Sequence, residues 1–485
     1  MGYEMKLGAL VPVEGETSIL DVAGLTADSR QVSPGMIFFA MPGSRADGSQ
    51  FAAAAVQAGA VAVIGEARSV PAGVPNGIYV RVADTRRALA EAAARFYPSQ
   101  PAKILAVTGT SGKTSVVDFT RQILIHCGQN AASVGTIGVI SGAGAHYGSL
   151  TTPDPVSLHE TLDHLARDGV THLAMEASSH GLDQRRLDGV RLTAAAFTNL
   201  GHDHLDYHGT RDAYLAAKMR LFDTLLPIDG VAVVNADDSV AETVRAIVAK
   251  RGIRVFSTGW KGGDLRIMAL SRNGFDQHLE LATKDGAVHS IKVPLLGDFQ
   301  ISNALVAAGL AIAARVPVAQ VLAAISTLKG VPGRLERAGY FRDGLIIIDY
   351  AHKPEALEHA LRALRSSATG RLICVFGCGG DRDRAKRPLM GAIAAHNADL
   401  VIVTDDNPRS ENPATIRAAI LEACPGAGEI ADRFEAIRTA IDLMQSGDVL
   451  LIAGKGHETG QIIGDTTIPF SDHEAVDTIL KGMMP

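Results

Sequence analysis

The seven residues Thr108-Gly109-Thr110-Ser111-Gly112-Lys113-Thr114 stand between an apolar run, Ile104 to Val107, and a helical pattern opening at Val116. Strand, glycine-bearing loop and helix in that order make a phosphate-binding loop. Glycines let backbone N–H groups close on phosphate oxygens, and the helix N-terminus favours an anion. Lys113 would reach the outer phosphates, and Thr114 offers a hydroxyl to Mg2+. The string departs from the general G-x-x-x-x-G-K-[ST] pattern, since Val107 stands where the first glycine would be and Gly109 supplies a shorter G-x-x-G-K-T. An ordinary strand-to-helix turn is the alternative.

A phosphate loop serves motors, kinases and ligases alike, so the remaining polar residues must choose. Glu176 closes an apolar run in AMEASSHGLDQRRLDG, and His204 follows another in FTNLGHDHLDYHG. A carboxylate, an imidazole and the Thr114 hydroxyl around a magnesium nucleotide would make a metal shell. Lys218 shares the helical stripe Tyr214, Lys218, Leu221, Phe222, Leu225, a core-facing position. Burial disfavours an ammonium, and a neutral amine can take up carbon dioxide as a carbamate, an anion suited to a second Mg2+. Periodicity alone favours a blander lysine that snorkels out of an apolar face.

These residues need elements to hold them. At 485 residues the chain should form about three domains. Pro/Gly-bearing joints at Pro98-Ser99-Gln100-Pro101 and Gly330-Val331-Pro332-Gly333 divide it into 1–98, 99–332 and 333–485. The first piece reads as a small α/β domain. The second alternates strands and helices around THLAMEA, TAAAFTNL and GVAVVNAD, with a hairpin-rich insertion between about Val255 and Pro294. The third carries LIIIDYAH, RLICVFGCGGDRD, DLVIVTDDNPR and DVLLIAGKGHE, each followed by a helical pattern. In open α/β sheets ligands sit beyond the carboxyl ends of the strands, so these four polar tails should converge on one crevice.

Composition narrows the function classes. A net charge of -6 with 20% charged residues argues against a general nucleic-acid or anionic-membrane binder. No apolar run is long enough to span a bilayer, so the expected location is the cytoplasm, without membrane insertion. Four cysteines, Cys127, Cys374, Cys378 and Cys424, are too sparse for a disulfide framework. Cys374 and Cys378 lie close together, yet strand packing suits them better than zinc.

The ordered strings TGTSGKT, EASSHGLDQRRLDG, NLGHDHLDYHG with AAKMRLF, GDFQISNA, VPGRLERA, DYAHKPEAL, FGCGGDRDRAKRP, TDDNPR and AGKGHE closely resemble the Mur ligases that build the peptidoglycan peptide. The resemblance runs from Asp28 to Glu458 and reverses the bland reading of Lys218. It implies a three-domain α/β protein with a UDP-binding N-terminal domain, a central P-loop ATPase domain and a Rossmann-like C-terminal domain. It also implies a monomer that uses ATP and Mg2+ to join meso-diaminopimelate to the D-glutamate carboxylate of UDP-N-acetylmuramoyl-L-alanyl-D-glutamate. Lysine addition, or glutamate addition to a folate, is the alternative.

Carried over residue by residue, the resemblance implies that ATP meets Gly109, Thr110, Ser111, Gly112, Lys113, Thr114 and Ser115, with Asn303, Arg334 and Asp349 near adenine, phosphate or ribose. Lys113, Glu176, His204 and Lys218 would be catalytic. Thr114, Glu176, His204 and Lys218 would bind metal, Lys218 as N6-carboxylysine. The UDP-muramoyl-peptide would meet Ala27, Ser29, Ser44, Arg45, Ala46, Thr151, Thr152, Ser178, Gln184 and Arg186. Diaminopimelate would meet Arg382, Asp406, Asn407, Pro408, Arg409, Gly454 and Glu458, because DNPR marks diaminopimelate users in this family. His352 and Lys353 are helpers on the ATP side without an assigned role. Leu150, Gln300 and Gly201-His202 depart from residues common in relatives.

Overall fold

The structure, a computed structural model, describes the chain except residues 1–4, 44–46, 147–149, 202, 274–275, 366 and 484–485. Two compact units result: 1–267 with 282–287 and 305–324, and 268–281 with 288–304 and 325–485.

In the first unit, β1 (Gly24–Thr26), β2 (Met36–Phe39), β3 (Ala62–Gly65) and β4 (Tyr79–Arg81) form a parallel sheet. Helix α1 (Thr85–Phe96) covers it with Leu89, Ala92, Ala93 and Phe96. Its start is fixed by Asp84, whose carboxylate accepts the Arg87 N–H, as an N-cap must.

A second parallel sheet follows in the same unit. Its strands are β5 (Lys103–Thr108), β6 (Ala131–Gly135), β7 (His172–Glu176), β8 (Leu192–Phe197), β9 (Val231–Asn235) and β10 (Arg254–Gly259), in the order β6-β7-β5-β8-β9-β10. Buried on both faces, these strands read as continuous apolar runs. The chain leaves β5 to one side for β6 and β7 and returns on the other for β8. The end of β5 is therefore the switch point where such sheets bind ligands. Helix α2 (Lys113–His126) packs on β5, β6 and β7, and helices α3 (Pro155–Arg167) and α4 (Arg211–Arg220) add Leu158, Leu162, Tyr214 and Met219 to the core of the sheet. The insertion expected from about Val255 starts later, since Arg254–Gly259 is β10, parallel to β9; strands Leu265–Asn273, Asp276–Thr283 and Val288–Val293 then follow as successive neighbours in one sheet.

The second unit contains a sheet in the order β11 (Glu336–Phe341), β12 (Gly344–Asp349), β15 (Val449–Ala453), β13 (Leu372–Phe376), β14 (Leu400–Val403), with only β11 antiparallel within this run. All four expected strands are there. One detail differs: β15 is followed first by a hairpin, Gly460–Ile463 with Thr466–Pro469, and only then by a helix, Asp472–Met483. Cys374 and Cys378 are buried in one apolar cluster, and burial pushes both thiols up, that of Cys378 to about 11.

Beneath this sheet Arg433 and Asp472 pair through Nε–Oδ1 and Nη2–Oδ2 at 2.7 and 2.8 Å, both side chains 0% exposed. Removing one partner strands the other charge. Asp472→Ala should therefore cost about 3–5 kcal/mol, read as a lower denaturant midpoint at unchanged slope.

Candidate active site

The loop after β5 is shaped by its neighbours. Gly109 has φ 148°, and a Cβ there would stand 1.9 Å from Thr198 Oγ1, so a side chain has no room. The tail of β8 holds the loop: Asn199 Oδ1 accepts the Ser111 N–H at 2.9 Å, and Thr198 Oγ1 donates to the Ser111 carbonyl at 2.7 Å. Lys113 opens α2, and its Nζ donates to the carbonyls of Gly109 at 3.0 Å and Thr110 at 2.9 Å. Thr114 and Ser115 are buried in the first turn.

Lys218 reaches the same loop from α4. It is 1% exposed, and its Nζ lies 2.7 Å from the Gly109 carbonyl and 4.3 Å from the centre of the Tyr214 ring. Tyr214 in turn donates to Thr110 Oγ1 at 3.2 Å. Burial, then the charge of Lys113, lower the Lys218 amine from the usual 10.5 to about 6. It is therefore largely neutral at pH 7 and able to act as a nucleophile. The snorkelling alternative fails, since the head group itself is enclosed.

Glu176 ends β7 opposite Val107 of β5. It is 1% exposed, and its Oε1 accepts the Thr136 N–H at 2.8 Å. Gly135 makes room for it: a Cβ there would stand 2.3 Å from Glu176 Oε1. His204 sits at φ 54°, an uncommon backbone state for a residue with a side chain. Its ring centre is 4.7 Å from that of His180 and 6.1 Å from that of Tyr214. Burial holds His204 below the usual histidine range against the pull of Asp203, with His180 and Lys113 adding to the depression.

Among the described residues no three His, Cys, Asp or Glu side chains group as a metal site. A Mg2+ shell here would have to be mixed, drawing on Glu176, His204, the Thr114 hydroxyl, phosphate oxygens and an anion made from Lys218. All but the His204 ring nitrogen are oxygen donors, which suit Mg2+, a cation that also keeps bound water.

Five residues expected to meet the muramoyl-peptide come together beside Glu176. Thr151 Oγ1 lies 3.1 Å from Thr136 Oγ1, and Thr152 Oγ1 donates to the Glu176 carbonyl at 2.9 Å and accepts the Ser178 N–H at 3.0 Å. Arg186 donates to the Thr152 carbonyl at 2.6 Å and to Gln184 Oε1 at 2.7 Å. Ala27 and Ser29 lie in the turn after β1, where Asp28 accepts from the Arg30 N–H and guanidinium. Ser44, Arg45, Ala46 and His202 lie outside the described residues. Sequence reasoning assigned no role to Thr136, His180 or Tyr207. His180 is two positions from Ser178 and Tyr207 three from His204, inside strings that carry the resemblance, whereas Thr136 lies in none of them.

In the second unit, Asn303 and the Arg334 carbonyl meet Gln300, and Asp349 lies within the field of Arg334. Asn303 Nδ2 donates to Gln300 Oε1 at 2.9 Å, and Gln300 Nε2 approaches the Arg334 carbonyl at 3.4 Å. Asp349 accepts the Leu335 N–H at 2.7 Å, and burial pushes its carboxyl up to about 6 against the pull of Arg334.

Beyond the carboxyl ends of β12 to β15 lies a cavity of about 610 Å³. Arg382, Asp406, Asn407, Arg409, Gly454 and Glu458 line it, with Tyr350, His352 and Lys353 from the β12 tail. The four tails do converge. Pro408 is not in the lining; its carbonyl instead accepts the Glu411 N–H at 3.1 Å. Bidentate cations beside carboxylates in one cleft suit a zwitterionic ligand.

Family models match the chain at residues 21–97 (Mur ligase family, catalytic domain), 107–311 (Mur ligase middle domain) and 333–456 (Mur ligase, glutamate ligase domain). The chain belongs to the Mur ligase family. It is 55% identical over 485 residues, 98% of this chain and 99% of the relative, to the UDP-N-acetylmuramoyl-L-alanyl-D-glutamate--2,6-diaminopimelate ligase of Bradyrhizobium diazoefficiens. The protein of that name from Brucella melitensis is 54% identical over 97% of this chain and 96% of its own. A solved structure of a ligase of the same name matches 99% of both chains at 33% identity, with a TM-score of 0.76. A folylpolyglutamate synthase of Mycobacterium tuberculosis shares the fold, with a TM-score of 0.61 at 20% identity over 83% of this chain and 96% of its own. As a Mur ligase, the chain is an α/β enzyme of three family domains, and no described helix is long and apolar enough to cross a membrane.

Proposed function

We propose that this Mur ligase joins meso-diaminopimelate to the D-glutamate carboxylate of UDP-N-acetylmuramoyl-L-alanyl-D-glutamate with consumption of ATP. The observation that carries the amine is the cavity where Arg382, Asp406, Asn407, Arg409 and Glu458 meet. Diaminopimelate has a distal amino-carboxylate that lysine lacks. An arginine fork matches the carboxylate, and the acids match the ammonium. The names of the relatives support the same reading.

A free carboxylate is a poor acyl donor, so the D-glutamate carboxylate first takes the terminal phosphoryl of ATP, releasing ADP. Lys113 and the loop N–H groups would balance the charge on the transferring phosphoryl. The amine then attacks the acyl-phosphate, and the tetrahedral intermediate expels inorganic phosphate to leave the amide. Mg2+, held by Glu176, His204, Thr114 and carbamylated Lys218, would supply further charge neutralisation. Thr151, Thr152, Ser178, Gln184 and Arg186 would position the peptide, and Asn303, Arg334 and Asp349 the nucleotide. The reading takes domains at 1–98, 99–332 and 333–485, a monomer, and a cytoplasmic site where the UDP-linked substrate is made.

Phosphate release should require acceptor and amine together, and in a mass-detected panel diaminopimelate should be the amine incorporated. Efficient lysine incorporation without a diaminopimelate product would sink the substrate assignment. Release independent of both substrates would point instead to a nucleotide-driven motor.

A further inference from the structure

The cavity that holds the proposed amine site rests on a lysine that does not line it. Lys455 is 0% exposed although it sits in the loop Gly454-Lys455-Gly456 after β15. Its two glycine neighbours have φ 115° and 54°, backbone states that favour glycine. They also permit close approach: a Cβ at Gly454 would stand 2.5 Å from Asp406 Oδ2, and one at Gly456 2.7 Å from the Tyr350 Cβ. This backbone carries the lysine inward, behind the residues that face the cavity.

Lys455 Nζ donates to Asn407 Oδ1 at 3.1 Å and to Glu458 Oε2 at 3.2 Å. The Ile462 N–H also donates to Asn407 Oδ1, at 3.0 Å. An ammonium and a backbone N–H can only donate, so together they fix which end of the Asn407 amide is oxygen. The Asn407 Nδ2 is thereby turned to Glu458 Oε2, which it meets at 2.8 Å. Lysine, amide and carboxylate close a triangle, two of whose members face the cavity.

We propose that Lys455 is a positioning residue for the amino-acid substrate, setting the orientation of the Asn407 amide and the place of the Glu458 carboxylate without touching the ligand. This rests on the reading of the cavity as the amine site. Removing one partner of a buried ion pair leaves the other uncompensated, and here the ammonium spans two groups from different strand tails. Groups that orient a binding shell from behind typically change affinity or activity by tenfold to a hundredfold when removed.

Steady-state kinetics with each substrate varied tests the role. Lys455→Met should raise the KM for diaminopimelate on the order of tenfold to a hundredfold, with the KM values for ATP and the UDP-linked acceptor nearly unchanged. Lys455→Gln, which keeps a donor for Asn407 but no charge, should fall between Met and wild type. In a cycle with Glu458→Gln the double variant should be little worse than the poorer single one, because Lys455 acts through Glu458. If Lys455→Met does not fold, Lys455→Gln and its double variant carry the same comparison. An unchanged KM for the amine, or additive effects in the cycle, overturns the proposal, as does a uniform loss across all substrates. Failure of the wild-type enzyme to use diaminopimelate would count against the substrate assignment instead, and the Lys455 comparison would then be made with the amine that is used.

Discussion

Replacing Lys218 by alanine is expected to lower kcat by about a hundredfold to a thousandfold, the usual loss for one preorganised charge-stabilising group, while the KM for ATP changes little. The argument starts from burial. An enclosed amine brought down to about 6 is mostly unprotonated at neutral pH, and carbon dioxide adds to that form, with loss of a proton, to give a carbamate. The change converts a neutral amine beside Lys113 into an anion able to ligand Mg2+ beside a triphosphate. Lys218→Arg places a permanent positive charge there and cannot make the carbamate, so it should be as inactive as the alanine variant. A small carboxylate such as acetate should restore part of the alanine variant's activity and none of the arginine variant's. Full activity of Lys218→Ala, or no response to any short carboxylate, would remove the carbamate from the mechanism.

Lys218 also shows how far the sequence could be read. Its helical stripe placed it on the core face, and the structure agrees; its bond to the Gly109 carbonyl, 109 positions away, has no local signature. Four strands of the central sheet and four of the second unit's sheet were legible because buried parallel strands are continuous apolar runs, whereas Ala131–Gly135, Arg254–Gly259 and Glu336–Phe341 were not read as their neighbours. The phosphate loop was legible from its spacing, yet the reason Gly109 must be glycine lies in Thr198 on another strand. Lys455 was the hardest to find. A lysine between two glycines reads as a solvated loop residue, and only the fold shows the backbone turning it inward. The hairpin after Glu458 was missed for a related reason: GQIIGDTTIP is short, with no long alternation to mark two strands. Its Ile462 N–H nevertheless helps to fix Asn407, so the overlooked element supports the amine site.

Arg409→Ala should raise the KM for diaminopimelate by roughly a hundredfold, because two charge-assisted hydrogen bonds to one carboxylate are together worth about 3 kcal/mol. Arg409 is well placed for such a role. Its backbone, at φ 51°, is pinned on both sides by the hairpin, its N–H donating to the Ile462 carbonyl at 3.0 Å and its carbonyl accepting the Gly464 N–H at 2.8 Å. The side chain meanwhile bonds through Nη1 to the Gly380 carbonyl at 2.9 Å and, more weakly, to the Asn407 carbonyl at 3.5 Å, and it lines the cavity, with Nε and Nη2 left to face a ligand. Lysine has no distal carboxylate to lose, so its weak use should change little, and the preference for diaminopimelate over lysine should shrink by nearly the same factor. Competition between the two amines, with products weighed by mass, measures that ratio directly. Arg409→Lys should recover only part of it, since an ammonium replaces the charge but not the fork. If the ratio survives Arg409→Ala while both amines weaken together, Arg409 supports the loop through Gly380, and recognition of the distal carboxylate falls to Arg382.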